Sequence, residues 1–68
     1  MSTFSENLIK LRKENKVSQQ KLAEFVGVSQ QCVSEWEKDN IEPTLSNLWK
    51  IADFFDMPID YLVGRKDY

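Results

Sequence analysis

The chain contains no histidine and a single cysteine, Cys32. Without them a zinc site would need an all-carboxylate shell, and a Cys/His nucleophile pair cannot exist. One thiol also rules out an internal disulfide and fits a reducing compartment. Glycine and proline occur only twice each, which leaves few breakers and favours helices. Apolar runs are no more than three or four residues long, too short to span a bilayer. Met1-Ser2-Thr3-Phe4 lacks the pattern of a secretory signal, so the expected location is the cytoplasm. The expectation is a protein with no enzymatic activity, cofactor, metal, membrane or small-molecule substrate.

What is present is globular: 41% of the 68 residues are hydrophobic and 29% charged. That length holds one domain, residues 1–68, near the size at which folds begin to need disulfides or metals. The net charge of -2 argues against a polyanionic partner when taken alone. Its distribution is uneven. Residues 1–33 carry five cations (Lys10, Arg12, Lys13, Lys16, Lys21) against three anions (Glu6, Glu14, Glu24), and the rest of the chain is net acidic by four. One face can therefore approach phosphate, though weakly.

Caps and periodicity predict five helices. Thr3-Phe4-Ser5-Glu6 has the form of a capping box, and Phe4, Leu8 and Leu11 follow at i, i+4, i+7, giving a first helix to about residue 15. Ser18 caps a second helix with Leu22, Ala23 and Val26 on its apolar face, and Gly27 ends it. After Val28, Ser29 caps a third helix over Gln30–Glu37, in which Val33 and Trp36 lie three apart. Lys38-Asp39-Asn40 with Pro43 forms a loop, and Thr44 caps a fourth helix with the stripe Leu45, Leu48, Ile51, Ala52 and Phe55. Beyond Pro58 a short helix over 59–63 closes at Gly64. No repeat or linker interrupts them.

The informative unit spans residues 18–37: a capped helix, a tight turn with Gly27, and a second capped helix. Two helices joined this way cross steeply, leaving the second free to enter a DNA major groove. With Val33 and Trp36 in the core, Gln30, Gln31, Ser34 and Glu35 face outward. Glutamine offers a donor and an acceptor together, which suits adenine N6 and N7. Trp36 is expected in the core rather than stacking on a base, and Cys32 as a small helix residue rather than a redox switch.

These residues resemble the lambda repressor and Cro-like (XRE-type) helix-turn-helix domains. The likeness rests on Leu8-Ile9-Lys10-Leu11-Arg12, Val17-Ser18-Gln19-Gln20-Lys21-Leu22-Ala23-Glu24, Val26-Gly27-Val28-Ser29 and Val33-Ser34-Glu35-Trp36-Glu37. It continues through Leu48-Trp49-Lys50-Ile51-Ala52 and Ile59-Asp60-Tyr61-Leu62-Val63-Gly64. It implies an all-α, five-helix fold, binding to operator-like double-stranded DNA, and a homodimer on a palindromic site. By position, Gln19 is similar to the family's phosphate-contacting residue, and Gln30, Gln31 and Ser34 or Glu35 to its base-reading positions. Lys38 and Asn40 fall where the family touches the DNA backbone. Lys21 is a further cation expected near phosphate. Arg12 and Glu37 match positions that form a structural ion pair between the first and third helices.

The chain departs from the pattern after Glu37. Where many relatives carry Asn-Gly and then basic residues, it has Lys38-Asp39-Asn40-Ile41-Glu42, whose carboxylates oppose phosphate. Glu35 adds an anion to the reading face, able to accept from cytosine N4 or to repel other DNA. The leading expectation is a sequence-specific transcriptional regulator acting as a repressor. The alternative is a protein-interaction module such as an antitoxin, suggested by the acidic second half and by Phe54, Tyr61 and Tyr68 as exposed aromatics. The dimer interface is expected at Ile59, Tyr61, Leu62 and Val63. The sequence around Gly64-Arg65-Lys66-Asp67-Tyr68 is compatible with a complete Cro-like protein or with the N-terminal piece of a longer repressor.

Overall fold

The computed structural model describes residues 3–64. Five helices follow in order: α1 Thr3–Glu14, α2 Gln19–Val26, α3 Gln30–Glu37, α4 Leu45–Phe55 and α5 Ile59–Leu62. No strand occurs among the described residues. The caps account for most of these limits. Ser18, Ser29 and Thr44 are extended at their N-cap positions, and each hydroxyl accepts from the N–H three residues on, at Lys21 (3.0 Å), Cys32 (3.1 Å) and Asn47 (3.1 Å). Gly27 ends α2 in the left-handed region at φ 89°, donating its N–H to Ala23 O.

Two expected caps differ. Thr3 is the first residue of α1 rather than its cap. The last helix ends at Leu62, with Val63 as its C-cap. Three side-chain-bearing residues also take positive φ: Lys16 (56°), Asp39 (63°) and Asp56 (55°). Each stands at a turn after a helix, where glycine would be the usual choice.

The buried core draws on every helix: Leu8 and Leu11 from α1, Leu22, Ala23 and Val26 from α2, Val33 and Trp36 from α3, Ile51 and Ala52 from α4, Leu62 from α5. α2 packs against α3 and α4, α1 against α3 and α5, and α4 against α5. Polar ties reinforce this arrangement. The buried Ser5 hydroxyl donates to Trp36 O at 2.7 Å, and Asn7 Nδ2 donates to Tyr61 O at 2.9 Å. α1 thus holds both the end of α3 and the end of α5.

Burial corrects four expectations. Leu62 lies fully inside the core, so it cannot supply a dimer interface, and Ile59, Tyr61 and Val63 are only part-exposed. Leu45 shares the face of Ala52, seven residues on, but as the first residue of α4 it is 59% exposed. Phe54 is half-buried, its ring 4.9 Å from Phe25 and 5.0 Å from Phe55. Tyr61 likewise packs on the core, and Tyr68 lies outside the described residues. Among the described residues the exposed aromatics are instead Phe25 and Trp49.

Candidate nucleic-acid interface

α3 is fixed at both ends and along one side. Ser29 caps its start, Ser5 holds the carbonyl of Trp36 near its end, and Val33 and Trp36 anchor it in the core. The opposite side is left for solvent. There Gln30, Gln31 and Lys38 are exposed, with Ser34 and Glu35 part-exposed, and Asn40 lies exposed in the following loop. Lys21 is exposed on α2.

Two hydrogen-bonded groups organise this surface. The first begins in the interior. Arg12 Nε donates to Glu37 Oε2 at 2.6 Å and Arg12 Nη2 to Glu37 Oε1 at 3.1 Å, a forked ion pair between α1 and α3. Arg12 Nη1 also donates to Val17 O at 3.0 Å, tying the turn before α2. Glu37 then accepts from Gln19 Nε2 at 3.0 Å, and Gln19 Oε1 accepts from Gln30 Nε2 at 3.3 Å. A run of polar contacts therefore passes from a nearly buried carboxylate through α2 to the exposed start of α3. Gln19 has both ends of its amide engaged within the domain. For an anion it still offers the second Nε2 hydrogen and its backbone N–H in the first turn of α2, a position where helix N–H groups point outward.

The second group is on the surface. Gln31 Nε2 donates to Glu35 Oε1 at 2.6 Å, and Asn40 Nδ2 donates to Glu35 Oε2 at 2.8 Å. The bond from Asn40 foremost, then that from Gln31 and the nearby charge of Lys38, hold the Glu35 carboxyl below its ordinary pKa, while desolvation opposes them. Glu35 thus stays an acceptor-only carboxylate at neutral pH. Ser34 and Lys21 have no side-chain role in either group beyond their exposed placement. Sequence reasoning picked out these residues singly but missed three links: Gln19 to Glu37, Gln19 to Gln30, and Glu35 to its two amides. The i, i+4 spacing of Gln31 and Glu35 was the one available signal.

The fold and this surface define a helix-turn-helix domain of the lambda repressor and Cro type, with α2 and α3 as its two helices. The chain belongs to that family: the Helix-turn-helix family pattern matches residues 8–62. It is 37% identical over 60 residues to the uncharacterized HTH-type transcriptional regulator YqaE of Bacillus subtilis, covering 88% of this chain and 52% of the relative. It is also 37% identical over 62 residues to the cryptic phage CTXphi transcriptional repressor RstR of Vibrio cholerae, covering 91% and 55%. The chain spans about half the length of these curated relatives. Among solved structures, the c2 repressor of phage P22 in complex with a synthetic operator superimposes with a TM-score of 0.88 at 30% identity, over 97% of this chain and 100% of that one. None of these relatives supports the antitoxin alternative.

Among the described residues no helix is long and apolar enough to cross a membrane. None of their Cys, Asp and Glu side chains cluster as a metal site would require.

Proposed function

We propose that this chain is the DNA-binding unit of a cytoplasmic transcriptional repressor that reads a palindromic operator as a homodimer. The observation that carries this reading is the outward polar face of α3, in which Gln30 and Gln31 stand exposed on a helix capped and anchored by its neighbours. A rigid helix of eight residues with amide side chains at its start fits the major groove, where amides can match base edges. The likeness to a repressor bound to its operator supports the same docking. The first-turn N–H of Gln19, together with Lys21, Lys38 and Asn40, would engage phosphates on either side.

A domain of this size covers only a few base pairs, so useful specificity calls for two copies on two-fold related half-sites about one helical turn apart. Selection from a pool of random duplexes tests the whole reading. The expected result is a palindrome with half-site centres roughly 10 base pairs apart, bound by two chains in sedimentation. Recovery of unrelated sequences, or one chain per complete site, would overturn it.

A further inference from the structure

We propose that Glu35, held in place by Gln31 and Asn40, selects a cytosine at one position of each operator half-site. This rests on the functional reading above and assigns part of its specificity. The starting point is the geometry of the clamp. Each carboxylate oxygen takes one amide N–H, at 2.6 Å from Gln31 and 2.8 Å from Asn40, so the side chain is fixed by two different segments, the helix and the loop after it. A carboxylate has about four acceptor positions. Two are used, and the others remain for a partner in front of the helix.

The chemistry of the groove then decides which partner is tolerated. Guanine presents two acceptors, N7 and O6, and thymine presents O4 beside a methyl group, so an ionised carboxylate meets only repulsion or an apolar surface there. Adenine offers its N6 donor next to the N7 acceptor, which opposes the charge. Cytosine offers the N4 donor with no acceptor of its own in the major groove, the neighbouring O6 belonging to its paired guanine. Phosphate is excluded for the same reason as guanine. Gln31 completes the match: one of its two amide hydrogens goes to Glu35, and the other is free to donate to O6 of the paired guanine. The Gln31 and Glu35 pair therefore presents donor and acceptor side by side toward a C·G pair. Lys38 and the two amides keep Glu35 ionised, so this pattern holds at neutral pH.

The test is sequence selection on random duplexes with the unaltered chain, Glu35→Gln and Asn40→Ala, each first checked for an unchanged melting temperature. The unaltered chain should enrich cytosine at one position per half-site, with about tenfold discrimination over other bases there. Glu35→Gln should lose that cytosine, gain tolerance for adenine, and leave every other position unchanged. Asn40→Ala, which frees one arm of the clamp and also removes a phosphate contact, should weaken the cytosine preference at that position while lowering affinity for every sequence by a similar factor. If the unaltered chain enriches a motif that Glu35→Gln leaves intact, the cytosine assignment is wrong while DNA reading survives. If Glu35→Gln tightens binding to all sequences equally, Glu35 only repels and the assignment again fails. If the unaltered chain enriches no motif, the functional reading itself falls and takes this inference with it.

Discussion

Arg12 shows how much one side chain can hold together at this scale. Its guanidinium forks onto Glu37 and reaches the Val17 carbonyl, with side-chain exposures of 16% and 8% for the two ion-pair partners. Arg12→Met leaves Glu37 with only the Gln19 amide among its known partners, so an anion is stranded in a nearly dry site. The expected loss is about 3 kcal/mol, the lower end for a broken buried pair because some water still reaches Arg12. In a domain whose total stability is about 5 to 15 kcal/mol, this should lower the melting temperature by more than about 10 °C. Arg12→Lys should fall between, since an ammonium cannot fork onto a carboxylate. An unchanged melting temperature for Arg12→Met would mean that the pair contributes nothing. Glu35 is the contrasting carboxylate, part-exposed and with its pKa lowered. A lowered folded pKa means its contribution is complete above the ordinary carboxylate value of about 4.3 and is lost as pH falls through the folded value. Sequence preference should therefore stay constant between about pH 6 and about pH 8 and change only in acid. A change of preference near neutrality would place the relevant titration elsewhere.

At the scale of helices and turns, the caps were the most legible part of the sequence. Ser18, Ser29 and Thr44 are short-range devices whose partners lie three residues away, so local pattern suffices to find them. Lys16, Asp39 and Asp56 were not legible as left-handed turn residues, because a residue with a side chain takes positive φ only uncommonly and its type alone does not mark it. The exposure of Leu45 was missed because a stripe counted along one helix does not say how far toward the helix's first turn its neighbours reach. The two glycines allow a comparison. Gly27 has positive φ but open space where a Cβ would stand, so Gly27→Ala meets backbone strain alone and should cost about 1 to 2 kcal/mol. At Gly64 the φ is similar, and a Cβ would also stand 2.8 Å from Thr3 Cβ and still nearer its methyl group. Gly64→Ala should therefore cost more than Gly27→Ala, and Thr3→Ser, by removing that methyl group, should recover part of the difference. Denaturant midpoints of the three variants and the double variant would measure this. Equal losses at the two glycines would show that α1 and the end of α5 are free to separate.

For the whole molecule the question is how a chain with net charge -2 holds a polyanion. Composition alone pointed the wrong way, and the division of charge along the chain recovered only part of the answer. The arrangement supplies the rest, since long-range partners such as Gln19 and Glu37 come together only once α1, α2 and α3 have packed. Several charges near the DNA-facing side are already committed. Arg12 is spent on Glu37, and Glu35 is shielded by two amides and Lys38. Lys21 and Lys38, both exposed, are the cations expected beside phosphate, whereas Asn40 and the first-turn N–H of Gln19 contribute neutral bonds that release no counterions. A dimer would then neutralise about four phosphates, giving a shallow slope of log affinity against log salt, near -4 at about -0.9 per phosphate. Lys38→Ala should weaken binding to operator and random DNA alike and flatten the slope by about two, one per subunit. Gln30→Ala should instead lose affinity for the operator, by about 1 to 3 kcal/mol per bidentate contact, and leave the slope unchanged. Titrations of both variants on both DNAs across a salt series separate holding from reading. A steep slope in the unaltered chain would mean that Lys10, Lys13, Lys16 or Lys50 also reaches the backbone, and that the DNA wraps further around the domain than α3 and its flanks require.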